Sequence, residues 1–455
     1  MVEVRVLAPT AVIGSGFSSK SFERGLSLKP HVIGCDGGST DMGPAALGTG
    51  VPHFSRDATR RDLRLMLRGR ERLGVPLIVG SCGTAGGDAG VDWMREICLE
   101  IAEEEGLRFH LALVRSEQEK GYLKRRLREG RIRPLNPAPD LNEKVIDRSA
   151  HIVGMMGAEP IMEALGGGAE VVLAGRASDT AIFASVPLRM RADPGPAWHA
   201  GKILECGTSC ATHRKRPDSV FAWIREGNFT VEPMDTDLRC TPQSVAAHSL
   251  YENADPHRIA ESAGVIETGG AAYEAEGDRA VRVTGSAFRE AEEYTVKLEG
   301  AERAGYQAVI VGGVRDPYII RQLDPWLAGI REAFAGRVEE IYGDGARDYA
   351  LVVRVYGRDA VMGELEPLRE ALPHEVGLLF EVTAPSRGRA MDLAATLTHL
   401  AIHYPIPEWH GLISGIAFPF APAELVKGEV YRFCLNHVVL PEAPCEMFRT
   451  EMLEV

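Results

Sequence analysis

Three short apolar runs decide what this chain can fold into. HVIG (31–34), PLIVG (76–80) and EVVLAG (170–175) each stop at a glycine-bearing polar loop that leads towards a helical pattern. A strand without polar alternation is buried on both faces, which is the condition of a parallel strand covered by helices on each side. The intervening segments fit that layer. DLRLMLRGRERLG puts Leu63, Met66, Leu67 and Leu73 on one helical face, and VDWMREICLEIAEEEG does the same with Met94, Ile97, Cys98 and Ile101. LRFHLALV and HIVGMM read as further strands, and PIMEALGGG as a helix closed by glycines. The alternation predicts an α/β domain over 1–265, with a Rossmann-like, mostly parallel sheet carrying helices on both faces.

Beyond about residue 265 the order changes to runs of strands separated by single helices. DRAVRVTGS, YTVKLEG and YQAVIVGG read as consecutive strands, followed by the helix PYIIRQLDPWLAGIREAF. YALVVRVYG, GLLFEVTA, the helix RGRAMDLAATLTHLAIHY, GIAFPF and VYRFCLNHVV complete the chain. This predicts an α+β domain over 266–455 with a ferredoxin-like module at its end.

Composition narrows the function classes. Apolar residues at 45% and charged residues at 25% exclude disorder as the main state. No run approaches the roughly 18–20 apolar residues of a membrane span, and no leader pattern opens the chain, so a cytoplasmic protein is expected. A net charge of −13 argues against nucleic acid as a partner. The one basic stretch, Arg115 to Pro134, reads as a solvated helix and turn, with the phosphate of a CoA tail as its functional alternative. The eight cysteines form no C-x-x-C pair and read as free thiols. His399 and His403 lie four apart without the glutamate of H-E-x-x-H, and no metal ligand set is predicted.

The candidate chemistry sits in the three loops, which an open parallel sheet gathers at its carboxyl edge. SCGTAGGD offers Ser81, Gly83, Thr84, Gly86 and Gly87 ahead of a helix, a pattern that suits a carboxylate or phosphate oxygen. It is neither a Walker A loop nor G-x-G-x-x-G. CDGGSTDMGP offers Asp36 and Asp41 beside Ser39 and Thr40. These could move protons or, with Asp88, hold a divalent cation; the plainer reading is an Asx-turn and helix cap. GRASD offers Arg176 to fork onto a carboxylate and Asp179 to act on a proton. GKILECG adds Lys202 and Glu205, an acid–base pair or a plain ion pair. SVAAHSLYENADP adds His248, Tyr251 and Glu252, and VKLEG puts Lys297 and Glu299 on one side of a strand. Cys35 and Cys82 are thiols within the first two loops, without a partner histidine at a telling spacing.

The runs VIGCDGGSTDMGP, LIVGSCGTAGGD, EVVLAGRASDTA and GKILECG, taken in order, resemble the acyclic terpene utilisation (AtuA-like) family. SVAAHSLYE, DRAVRVTGS, VKLEGAERAGY, GVRDP, the segment Tyr356 to Gly363, GIAFPF and FCLNHVV extend the resemblance over nearly the whole chain. It implies a role in catabolism whose intermediates are carboxylic acids and CoA thioesters, and a ferredoxin-like tail.

Together these readings predict an enzyme for a small organic acid or its CoA thioester. The reaction expected is a lyase or hydratase-type proton abstraction with elimination or addition. Asp36, Asp41, Asp179 and Glu205 would be its acids and bases. Ser39, Thr40, Ser81, Gly83, Thr84, Gly86, Gly87 and Arg176 would bind substrate. A hydrolase of an amide, lactone or thioester, metal-assisted or not, is the second expectation, and a non-catalytic acid- or CoA-binding subunit the third. No cofactor beyond a divalent cation is expected, and a homo-oligomer is expected on base rates.

Overall fold

The computed structural model describes residues 3–343, 348–408 and 415–455. They form two compact units, Met1–Glu302 with Phe433–Val455, and Arg303–Arg432.

The first unit is built on a ten-stranded mixed sheet. Its centre is five parallel strands in the lateral order Val4–Ala8, Val32–Asp36, Leu77–Gly80, Val171–Ala174 and His110–Arg115. Successive side chains point to opposite faces. Val6, Val32, Ile78, Val172 and Ala112 join one core with the helices Ala158–Gly166, Asp179–Arg189 and Pro194–Leu204. Leu7, Ile33, Val79, Leu173 and Leu111 join the other with Ser19–Ser27, Arg56–Leu73 and Asp88–Glu105. Two buried faces explain why these runs carry no polar alternation. Each fully buried Leu or Ile contributes about 1.5–3 kcal/mol, so the two cores fix the strands from which the loops project. Local signals agree with the packing. Helix Arg56–Leu73 starts at Ser55, whose side chain accepts from the Ala58 amide, and stops at Gly74 with φ 63°.

The sheet is mostly parallel only at its centre. Antiparallel strands Val220–Arg225, Asn228–Pro233, Ala280–Thr284 and Ala272–Glu276 extend one side, and Arg449–Glu454 pairs with His110–Arg115 on the other. The reason is connection length. Arg225 pairs with Asn228 across Glu226–Gly227, with Gly227 at φ 72°, and a two-residue turn can join only antiparallel strands. The change of texture near residue 265 falls within this unit. Gly264–Glu267 pairs with Arg258–Glu261 and Ala287–Glu290 in a small three-stranded sheet.

The second unit runs strand, helix, strand, strand, helix, strand. Its elements are the later part of Val296–Val314, Leu323–Tyr342, Ala350–Tyr356, Val376–Ala384, Arg387–His403 and the early part of Glu424–Val439. The lateral order is Ala350–Tyr356, Val376–Ala384, Val296–Val314, Glu424–Val439. Val376, Leu378, Phe380 and Val382 alternate inward onto Trp326, Ile330, Phe334, Leu393 and Leu397. Three expectations change here. YTVKLEG and YQAVIVGG are one continuous strand, because no turn pair interrupts them. The helix expected from Pro317 breaks at Gln322 into Pro317–Arg321 and Leu323–Tyr342. Among the described residues GIAFPF makes a single bridge, Ala417 to Gly313, since Pro419 has no N–H to extend a ladder.

Several arginines of the basic stretch are held in ion pairs. Arg126 is buried against Glu442 and Glu446, Arg128 pairs with Glu143, and Arg133 with Glu293. No described helix is long and apolar enough to cross a membrane.

Candidate functional site

The three glycine-bearing loops leave three neighbouring strands, Val32–Asp36, Leu77–Gly80 and Val171–Ala174, so they meet at one edge of the sheet. The Thr84 amide donates to Gly37 O at 3.2 Å, and the Arg176 amide donates to Gly86 O at 3.0 Å. Gly38 has φ 133°, and a Cβ there would stand 2.6 Å from Thr84 Cα; only glycine permits the two loops to pass. Ser81 and Thr84 hold φ of 45° and 79°, strained for residues with a Cβ.

Arg176 is the hub. Its Nε donates to Glu299 Oε2 at 2.9 Å, and its Nη1 reaches Ser81 Oγ at 3.2 Å, Ala177 O at 3.1 Å and Asp179 Oδ1 at 3.3 Å. Nη2 has no hydrogen-bond partner among the described residues. Glu299 also accepts from Lys297 Nζ at 2.8 Å. Burial works against its charge, but Arg176 and Lys297 outweigh that and hold its carboxyl down at about 2. Asp36 ends the second strand, 5% exposed, and its buried Oδ1 has no partner. Burial, and then the neighbouring Asp179 carboxylate, push Asp36 well above the carboxylate range, against the pull of Arg176. Asp179 opens the helix Asp179–Arg189 and is also raised by burial, with Arg176 and Lys202 opposing.

The helix Pro194–Leu204 delivers a second charged pair. Lys202 Nζ bonds Glu205 Oε1, and Glu205 Oε2 accepts from Thr180 Oγ1 at 3.0 Å. Burial pushes Glu205 up, and Lys202 resists. Glu261 accepts from Ser178 Oγ at 2.7 Å and is raised by burial to about 7. Cys206 Sγ, a ring nitrogen of His248 and a carboxylate oxygen of Glu205 lie within 4.8 Å of one another. This is the one such convergence of metal-capable side chains among the described residues, so Asp36, Asp41 and Asp88 do not form the cation geometry expected of them. Asp88 instead pairs with Arg449 at 2.9 Å.

The other expected residues fall in different places. Asp41 is exposed, donates its amide to Ser39 Oγ at 3.2 Å, and reaches Glu252 with its side chain. Ser39 is half-buried and Thr40 buried. Several amides of the glycine loop are taken by the protein itself. The amides of Ser81, Cys82 and Thr84 bond Gly175, Ala174 and Gly37, and the Asp88 amide donates to Glu117 Oε2 at 3.2 Å. A Cβ on Gly86 would meet Arg176 N at 2.2 Å, and one on Gly83 would meet Gly90 Cα at 2.3 Å. Gly87 precedes the helix Asp88–Glu105 as its cap. Burial pushes the Cys35 and Cys82 thiols far up, so neither is poised as a thiolate. Glu261 is absent from the sequence-based candidates, and its place as the acid ending the short strand Arg258–Glu261 carries no distinctive sequence signal.

With this geometry in place, one comparison decides the kinship. Residues 82–411 match the family described as acyclic terpene utilisation family protein AtuA. The chain belongs to this family. No curated protein and no solved structure matches the chain. Within the AtuA match lie Arg176, Asp179, Lys202, Glu205, Cys206, His248, Glu261 and Glu299, while Asp36 precedes it. Membership of a family named for utilisation points to a role in catabolism.

Proposed function

We propose that this AtuA-family protein is a catabolic enzyme acting on a small organic acid or its CoA thioester, by proton abstraction followed by elimination or addition. The observation that carries this reading is the group of buried Asp36 and Arg176 with half-buried Asp179, beside Lys202 and Glu205. Charges buried this deeply add little stability, and acids raised towards neutrality suit proton transfer. In this reading the free Nη2 of Arg176 receives the substrate carboxylate or thioester oxygen. One ionised acid takes the proton next to that group, and a protonated neighbour hands its proton to the departing hydroxide or amine. Asp36, with its unpartnered Oδ1, and Asp179 hold those two roles; Glu205 and Asp41 stand further along the same edge. Ser81 and the glycines Gly83, Gly86 and Gly87 keep Arg176 in place, and Thr84, Ser39 and Thr40 shape the approach. A hydrolytic reaction is the second reading, and the convergence of Glu205, Cys206 and His248 favours it.

The architecture fits both readings. Parallel strands with helices on both faces support a Rossmann-like core, whose ligands sit beyond the strand ends. The second unit's element order and lateral strand order support a ferredoxin-like module.

The test is a thermal-shift screen against small di- and hydroxy-acids and CoA thioesters, followed by turnover of whatever binds. Asp179→Asn is expected to keep the ligand-induced shift and to lose about 10²–10⁴-fold in turnover. Full turnover in Asp179→Asn and in Asp36→Asn would remove the acids from the mechanism.

A further inference from the structure

Glu205 and Cys206 follow the helix Pro194–Leu204, and His248 ends the helix Pro242–His248. Two separate elements thus bring a carboxylate, a thiol and an imidazole together, with their ligand atoms within 4.8 Å of one another. An independent observation points to a missing guest. His248 is only 6% exposed, and its buried Nε2 has no hydrogen-bond partner. Buried polar atoms are nearly always partnered, and an orphan at a functional edge calls for an explanation. Cys206 is half-buried, so the cluster remains open on one side.

We propose that Glu205, Cys206 and His248 bind a thiophilic divalent cation, with zinc as the natural occupant. One sulfur, one imidazole nitrogen and one carboxylate oxygen form a donor set that zinc accepts, whereas magnesium and calcium require oxygen ligands throughout. Three protein ligands leave one tetrahedral position vacant, the arrangement of a catalytic rather than a structural zinc site. A thiolate, a carboxylate and a neutral imidazole together balance a double positive charge. Lys202 is the competitor. Its ammonium holds Glu205 Oε1, so a cation at this carboxylate meets a competing positive charge, and removing that charge raises metal affinity. The site deepens the reading above by naming a cofactor, and it stands whichever bond the neighbouring acids break.

The full-length protein, stripped with EDTA, is titrated with zinc and separately with cobalt(II), while bound metal and the absorption spectrum are recorded. The expected result is a single equivalent of zinc per chain and a near-ultraviolet thiolate-to-cobalt charge-transfer band. Cys206→Ser removes the band and weakens zinc by at least about tenfold, and His248→Gln weakens it similarly. Cys445→Ser leaves both unchanged. Lys202→Met tightens zinc, because the competing ammonium is gone. The proposal falls if zinc does not bind stoichiometrically, if the cobalt band survives Cys206→Ser, if magnesium displaces zinc, or if Lys202→Met leaves affinity unaltered. Asp179→Asn keeps the metal, so loss of turnover and loss of zinc report separately on the reaction and on the cation site.

Discussion

Two regions of the first unit are rich in paired charge and use it in opposite ways. On the helices Arg56–Leu73 and Asp88–Glu105, arginines at every fourth position face glutamates of the next helix. Arg56 meets Glu100 at 2.6 Å, Arg64 meets Glu105 at 3.3 Å, and Arg68 meets Glu105 at 2.6 Å. At the sheet edge, Arg176 meets Glu299 and Asp179 with side chains only 5%, 6% and 25% exposed. Water screens the first set, and each pair is worth little. In the second set Arg176 and Glu299 have lost nearly all their water and persist because each charge has a partner. Stability alone would favour apolar side chains at those buried positions. Their presence where three loops converge is the physical reason to look for chemistry there.

The largest expected effect follows from breaking the buried set. Arg176→Met leaves Glu299, Asp36 and Asp179 facing one another without their shared cation. A loss of about 3–5 kcal/mol in denaturant unfolding is expected. In a Glu299→Gln background the same change should cost clearly less, and the difference measures the coupling. Equal losses in both backgrounds would show that Arg176 is held by packing rather than by charge.

The two kinds of buried acid also separate by pH. Glu261 is raised by burial to about 7, so the folded protein keeps a proton that the unfolded chain releases near its ordinary value of 4.5. Stability from this group is present at low pH and is lost as pH rises through that window. Glu299, held at about 2, has the opposite sign, and its contribution is lost as pH falls from about 4.5 towards 2. Urea unfolding between about pH 5 and pH 8 should therefore show a shallower decline for Glu261→Gln than for the unaltered protein. Parallel curves would remove Glu261 from the set of protonated acids.

The same contrast explains what could be read before the fold was known. VIGCD, LIVG and VVLA were legible because a strand buried on both faces has no polar alternation. Their loops were legible because parallel strands share a carboxyl edge. Of the antiparallel flanks DRAVRVTGS shows as a strand, but FAWIR and NFTVEP do not, since they are short and their only strong signal is Gly227 in the turn. The site was legible in part. Asp36, Arg176 and Asp179 follow their strands directly in sequence. Glu299, Lys202, Glu261 and His248 reach the centre from elements far along the chain, and no local spacing records that. The glycine loop has the pattern of an anion cradle, but several of its amides bond the protein itself. Hydrogen bonds between distant segments decide that matter, and sequence periodicity does not carry them.

The smallest effect belongs to the ladder, and it completes the comparison. Arg64→Ala removes contacts to Glu104 and Glu105, yet Glu104 keeps Arg60 and Glu105 keeps Arg68. Every group that remains is either paired or hydrated, so no charge is stranded. The melting temperature should stay within the scatter of repeat measurements at moderate salt, and any small loss seen at low ionic strength should vanish as salt is added. A large, salt-insensitive loss would mean that the arginine stem, lying between two helices, matters through packing, and that the ladder resembles the buried centre more than its exposure suggests.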